Sequence, residues 1–176
     1  MARQGRLDTL VNNAGLMLIG PVVDSPEGEW DRMIDLNLRG MLAVTRAALP
    51  HLKDAAASSP RGIADIVNVS STAGRQVRPG NAVYSLTKYG VNAFAEGLRQ
   101  EVLSQRIRVS LVEPGVVETE LASHIREELK DAVANQLGDM TKLNPDDIAD
   151  AISFIVTRDA RVAVNEILLR PSEQTW

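Results

Sequence analysis

Four short apolar runs alternate with long helical patterns, and this alternation constrains the fold more than any other feature of the chain. The runs are 7–11 (LDTLV), 63–69 (IADIVNV), 107–112 (IRVSLV) and 163–169 (AVNEILL). They stop at Asn12-Asn13-Ala14-Gly15, Ser70-Ser71-Thr72-Ala73-Gly74, Glu113-Pro114-Gly115 and Arg170-Pro171. Strands that are apolar at nearly every position suit a sheet buried on both faces, which means parallel pairing with helical crossovers. The spacing predicts two helical pieces over 26–54, the first opened by Ser25 as cap with Pro26 at its first position. In the second, Leu38, Leu42, Thr45 and Leu49 recur until Pro50. A long amphipathic helix is expected over 82–105, with Val83, Leu86, Val91, Phe94 and Leu98 along one side. Asn144-Pro145-Asp146-Asp147 caps a last helix to about Val156, its acidic residues at the favourable end of the dipole. Residues 55–60 (AAASSP) read as a surface loop, and Trp30 as a packing residue between helix and sheet. The outcome is one α/β domain over 1–176, a doubly wound parallel sheet of about four strands with helices on both faces.

Composition removes several classes of function. With 19 Lys+Arg against 23 Asp+Glu, the net charge of −4 speaks against a nucleic-acid binder that neutralises phosphates. The absence of cysteine excludes a disulfide scaffold, a thiolate zinc site and a cysteine nucleophile. Two histidines, His51 and His124, have no carboxylate cluster around them and read as exposed polar side chains, not metal ligands. No stretch reaches the ~20 apolar residues that cross a bilayer, and the basic start from Met1 to Arg6 leads into a strand, not a signal peptide. A cytoplasmic protein with no membrane partner is the expectation. Trp176 has too little sequence around it to assign.

The chemistry sits at the strand ends. Tyr84 and Lys88 stand four residues apart on a predicted helix, so both side chains share one face. A cation that close is expected to pull the phenol below its ordinary value near ~10, which would make it a general acid–base at neutral pH. A solvated lysine one turn from a partly buried tyrosine has the same spacing. Ser71, thirteen residues before Tyr84, lies at the C-terminal end of a predicted strand, where open α/β sheets hold their ligands. Its hydroxyl there can orient a substrate oxygen, or merely close a turn. The turns 12–15 and 113–119 reach the same edge, with small residues that admit a planar ligand and Asn and Thr side chains that offer hydrogen bonds.

The ordered set 12–15 (NNAG), Asn37 in 35–38 (DLNL), Ser71 in 68–71 (NVSS), 84–88 (YSLTK) and 114–119 (PGVVET) resembles the short-chain dehydrogenase/reductase family along essentially the whole chain. The resemblance implies a Rossmann-like fold and an NAD(P)(H)-dependent oxidoreductase that interconverts a small carbonyl and a secondary alcohol. It implies that Tyr84 is the acid–base, that Lys88 lowers its pKa and holds the nicotinamide ribose, and that Ser71 orients the substrate oxygen. Asn37 would fix a water that continues the proton relay. Asn12, Ala14 and Gly15 would line the cofactor beside the ribose, and Pro114, Gly115, Val117 and Thr119 would hold the nicotinamide. Residues 120–142 would form a mobile substrate lid. The ending 165–171 (NEILLRP) resembles an NADP(H)-preferring branch, and the helices around 31–49 and 82–105 resemble the family's dimer and tetramer surface.

The glycine-rich turn over the pyrophosphate is missing from the sequence, and the first strand corresponds to the family's fourth. The expectation is therefore weak cofactor affinity, an unpaired apolar edge at 7–11, and a fragment of a longer enzyme in preference to a natural short form. The alternative is a catalytically silent interaction subunit that pairs with a full-length relative.

Overall fold

The computed structural model describes residues 5–23 and 25–175; the basic start at 1–4 and Trp176 lie outside them. Strands β1 (Thr9–Asn12), β2 (Ala64–Val69), β3 (Ile107–Pro114) and β4 (Glu166–Leu169) form one sheet in chain order, every neighbouring pair parallel. Asn12 stands opposite Asn68, Val69 opposite Val112 and Pro114 opposite Leu169. All four strands therefore end at one edge, and the polar and glycine-rich turns read from the sequence gather there.

The period of two along the central strands builds both cores. Ile66, Ile107, Val109 and Leu111 pack under helices α2 (Met41–Ser58) and α3 (Ala82–Val102) with Leu52, Ala55, Val91, Ala95 and Leu98. Val67 and Val112 meet Ile148, Ala151 and Ile155 of helix α5 (Pro145–Val156) on the opposite face. Full burial of one such aliphatic side chain contributes about 1.5–3 kcal/mol. On the α5 face, buried Arg108 donates to Asp65 at 2.7 Å, and its guanidinium reaches the carbonyls of Ile155 and Val156 in the last turn of α5 and of Arg158, Asp159 and Val162 beyond it. A cation thus caps a helix C-terminus at the point where carbonyls lack partners.

Several local readings are corrected. Helix α1 (Glu29–Ile34) starts after Gly28, not at Ser25 and Pro26, because Gly28 at φ 82 supplies a left-handed cap that a side chain resists. It passes through a π-helical turn, Asp35–Gly40, directly into α2. Pro50 does not stop α2; it lies on the exposed side, so only a solvent-facing hydrogen bond is lost. Ala55 and Ala56, read as loop, are fully buried helix residues under the sheet. Trp30 is 42% exposed, while Met33 of the same helix is buried with Leu16, Leu18 and Tyr84, and Leu86 is exposed on α3. The cap at Asn144 holds, with its backbone N–H donating to Asp147 at 2.7 Å. Among the described residues β1 pairs on one side only, and Val11 is partly open to solvent. Both histidines are exposed. Among the described residues no cluster of His, Asp and Glu suits a metal, and no helix is long and apolar enough to cross a membrane.

Candidate active site

Strand β2 delivers Ser70 and Ser71 to the edge with opposite tasks. Ser70 turns inward and donates to the Asn92 side chain at 2.6 Å. Ser71 caps the 3-10 turn Thr72–Gly74, its Oγ accepting from the Ala73 N–H at 3.1 Å, and its hydroxyl acts on the Tyr84 phenol to lower its pKa. One turn along α3 lies Lys88, its Nζ 5.8 Å from the Tyr84 ring centre. That Nζ donates to the Val69 carbonyl at 3.0 Å, and Tyr84 and Lys88 are both buried.

Burial dominates the ionisation of the pair. It brings the Lys88 ammonium down to about 8. It pushes the Tyr84 phenol up to about 12, with the Ser71 hydrogen bond pulling the other way. The net shift of the tyrosine in this structure is upward, because removal of water from a phenolate is the largest effect on it.

Asn37 sits in the π-helical turn and is 3% exposed. Its Oδ1 accepts from the Leu16 N–H at 2.7 Å, and its Nδ2 donates to the Leu16 carbonyl at 2.9 Å and to Thr87 Oγ1 at 3.0 Å. Thr87 in turn donates to the Tyr84 carbonyl at 2.7 Å. Asn37 thereby clamps the turn after β1 to the helix that carries Tyr84 and Lys88. Gly15 faces the same place: a methyl built on it would stand 3.7 Å from both Asn37 Oδ1 and Lys88 Nζ. Ala14 is exposed beside it. The Asn12 side chain is directed elsewhere, donating to Thr45 at 3.0 Å and Asn68 at 2.8 Å, so it pins the strand end to α2 and β2.

Pro114 closes β3 in a buried position, Gly115 and Val117 follow half-buried, and Thr119 is exposed, its Oγ1 capping the next turn through the Leu121 N–H. The stretch read as a lid holds a 3-10 turn, Glu120–His124, and helix α4 (Glu127–Leu137). Its Arg126 lies against Gly20 and 3.6 Å from Glu29, and its Ile125 is buried, so the stretch rests on the segment after β1 and on α1.

A sequence-family model described as short chain dehydrogenase matches residues 1–130. An uncharacterized oxidoreductase of Staphylococcus saprophyticus is 39% identical over 175 residues, which cover 97% of this chain and 68% of the relative. The chain belongs to the short-chain dehydrogenase family. Among solved structures, a serine dehydrogenase in its closed form complexed with NADP+ matches with a TM-score of 0.86 and 32% identity, over 96% of this chain and 66% of that one. A 3-ketoacyl-(acyl-carrier-protein) reductase from Brucella melitensis complexed with NADH matches with a TM-score of 0.81 and 29% identity, over 97% and 69%. The chain thus spans about two thirds of the relatives it matches; one Staphylococcus aureus relative, 34% identical over 167 residues, is covered to 65%.

Other residues at this edge carry no motif in the sequence. Glu113 is fully buried at the end of β3 and accepts from Arg75 Nε at 2.6 Å and Asn92 Nδ2 at 2.8 Å. Arg75 also pairs with Glu166 on the edge strand, and Asn92 donates to the Gly74 carbonyl at 3.2 Å. Together they bind the Ser71 turn to the end of β3. The one available signal was a carboxylate closing an apolar strand (Glu113), which is costly to bury without a partner. Gln174, only 8% exposed, is a second unread residue at this edge.

Proposed function

We propose that this chain carries the catalytic part of an NAD(P)(H)-dependent oxidoreductase that interconverts a small carbonyl and a secondary alcohol. The observation that carries the reading is the buried Tyr84–Lys88 pair with half-buried Ser71 at the common strand edge, and Asn37 locked beside it. Tyr84 Oη exchanges a proton with the substrate oxygen while Ser71 shares a hydrogen bond with the same phenol. At neutral pH Tyr84 holds its proton, the form that donates when a carbonyl is reduced. The Lys88 ammonium beside the ring steadies the charge left on the phenol once the proton has gone.

The residues present fit a nicotinamide nucleoside. Lys88 has three donor hydrogens and uses one on Val69, and the bare Gly15 leaves a hollow beside Lys88 Nζ and Asn37. Lys88 and Gly15 would hold ribose hydroxyls, and Pro114, Gly115, Val117 and Thr119 the ring and its carboxamide. When bound, the cofactor supplies or accepts the hydride. Asn37, its side chain held by Leu16 and Thr87, would fix the water that continues the proton relay past Lys88. NADP(H) in preference to NAD(H) rests on the 165–171 ending; the neighbours named above are complexed with NADP+ or with NADH.

A cytoplasmic location and assembly as a dimer or tetramer belong to the same reading. Leu42 and Val44 of α2 and Leu86 of α3 are exposed, and Arg46, Leu49, Lys53, Leu98 and Glu101 of the same two helices line an open groove of about 500 Å³. Dehydrogenase and reductase neighbours support an enzyme over a silent interaction subunit. The test is titration of the purified chain with NADPH and with NADH, followed by nicotinamide fluorescence or calorimetry. Weak binding that weakens further on Lys88→Met is the expected result. No binding up to millimolar cofactor would sink the claim that these residues form a cofactor site by themselves.

A further inference from the structure

After β4 the chain turns at buried Pro171, with the Gln174 N–H donating to the Pro171 carbonyl at 2.9 Å. The turn brings two side chains against the two ends of the 119–141 excursion. Gln174 Oε1 accepts from the Val116 N–H at 3.0 Å, and a methyl on Gly115 would overlap this side chain. Glu173 Oε2 accepts from the Thr141 N–H at 3.0 Å. Between these contacts the excursion is drawn to a neck: the Glu118 N–H donates to the Leu143 carbonyl at 2.8 Å and the Leu143 N–H to the Val116 carbonyl at 3.0 Å.

The local order of these contacts has a physical reason. Gly115 donates its own N–H to the Leu169 carbonyl at 2.7 Å, so the β3–β4 ladder reaches this residue and no further. The next amide, Val116, points away from the ladder and would lack a partner without Gln174. A carbonyl presented to this half-buried amide therefore favours one backbone conformation for the turn.

We propose that residues 171–175 are a strap that sets the shape of the 114–119 turn and holds the neck of the excursion, with Gln174 and Glu173 as positioning residues for the proposed reaction. The proposal rests on the oxidoreductase reading for its role in catalysis, and on the hydrogen bonds alone for its role in shape. Gln174 touches no reacting atom. It acts through Val116 and Gly115, which would present the turn to the nicotinamide ring.

The test pairs amide hydrogen exchange with binding of reduced nicotinamide mononucleotide, the half of the cofactor this edge would hold. Gln174→Met keeps the size and removes the acceptor; Gln174→Glu keeps an acceptor. In Gln174→Met the Val116 and Leu143 amides exchange about tenfold faster while those of Ile66 and Val109 in the sheet are unchanged, and Gln174→Glu returns them to within about threefold of the parent. Glu173→Ala accelerates Thr141 alone. The mononucleotide Kd rises about fivefold or more in Gln174→Met with the melting temperature kept, and recovers in Gln174→Glu. Unchanged exchange at Val116, or equal acceleration throughout the sheet, overturns the strap. Failure of the parent chain to bind the mononucleotide refutes the oxidoreductase reading instead, and exchange then decides the strap by itself.

Discussion

Lys88→Met should make the protein more stable at pH 7, although Lys88 stands at the centre of the site. Burial lowers the ammonium from 10.5 to about 8, which at 1.36 kcal/mol per pH unit corresponds to about 3 kcal/mol of lost stability while the group stays charged. Methionine has a similar length and no charge to desolvate. It also abandons the bond to the Val69 carbonyl, worth about 1–2 kcal/mol, so the net gain at pH 7 is about 1–2 kcal/mol. The sign follows from proton uptake. Below pH 8 both states of the parent are protonated and the folded state bears the full penalty. Between pH 8 and 10.5 the folded chain has released the proton and the unfolded chain has not, so parent stability rises with pH. The variant's advantage should therefore shrink across that window and reach zero or below near its top. Urea melts of parent and variant at pH 7, 8, 9 and 10 measure this directly. A variant less stable than the parent at pH 7, or an advantage that ignores pH, would refute the claim that desolvation of Lys88 is a major cost in the fold.

Three further outcomes follow from the same contacts. Tyr84→Phe should lower kcat by about 10²–10⁴ and leave cofactor affinity within a few-fold, read by steady-state kinetics and fluorescence titration. Asn37→Ala removes three hydrogen bonds and orphans the Leu16 N–H and carbonyl, so urea melts should show a loss of about 2–4 kcal/mol. Asp65→Ala leaves the Arg108 guanidinium buried without its carboxylate and should destabilise by about 3–5 kcal/mol at pH 7, whereas Asp65→Asn should lose visibly less in the same melts.

The sheet was legible because each strand is an apolar run that collides with a turn, and a parallel order is what such runs permit. Helix limits were less so. Ser25 and Pro26 carry the composition of a helix start, yet the left-handed Gly28 begins α1, since backbone geometry at one residue outranks the cap preference of another. Pro50 carries the signal of a helix end, but a proline on the wet side of a helix packed along its other side is tolerated. On α3 the spacing chose Leu86 for the core, while Ser85 and Thr87 are the buried neighbours. Apolar periodicity is blind to a threonine that is buried in order to meet Asn37. Ser71, Tyr84 and Lys88 were legible as a group because strand end and helix face place them by local rules. Their ionisation was not, because burial is a property of the assembled layers.

Polar ties read least well from sequence, and they share a pattern. Each turn at the strand edge is held by a polar side chain from a distant element: the turn after β1 by Asn37, the turn after β2 by Asn92 and Glu113, the turn after β3 by Gln174. The partners are separated by tens of residues, leave no periodic signature and belong to residue types that usually face water. None of them is needed to join helices to sheet, since the two apolar layers already do that. What they add is one conformation for each turn, through hydrogen bonds whose geometry is narrow where apolar packing is permissive. A site built this way can loosen at a single turn while the sheet stays intact. Variants of Gln174 should therefore separate ligand affinity from stability, whereas those of Asn37, which answers to Leu16 and Thr87, and of Asn92, which answers to Ser70, Gly74 and Glu113, should not.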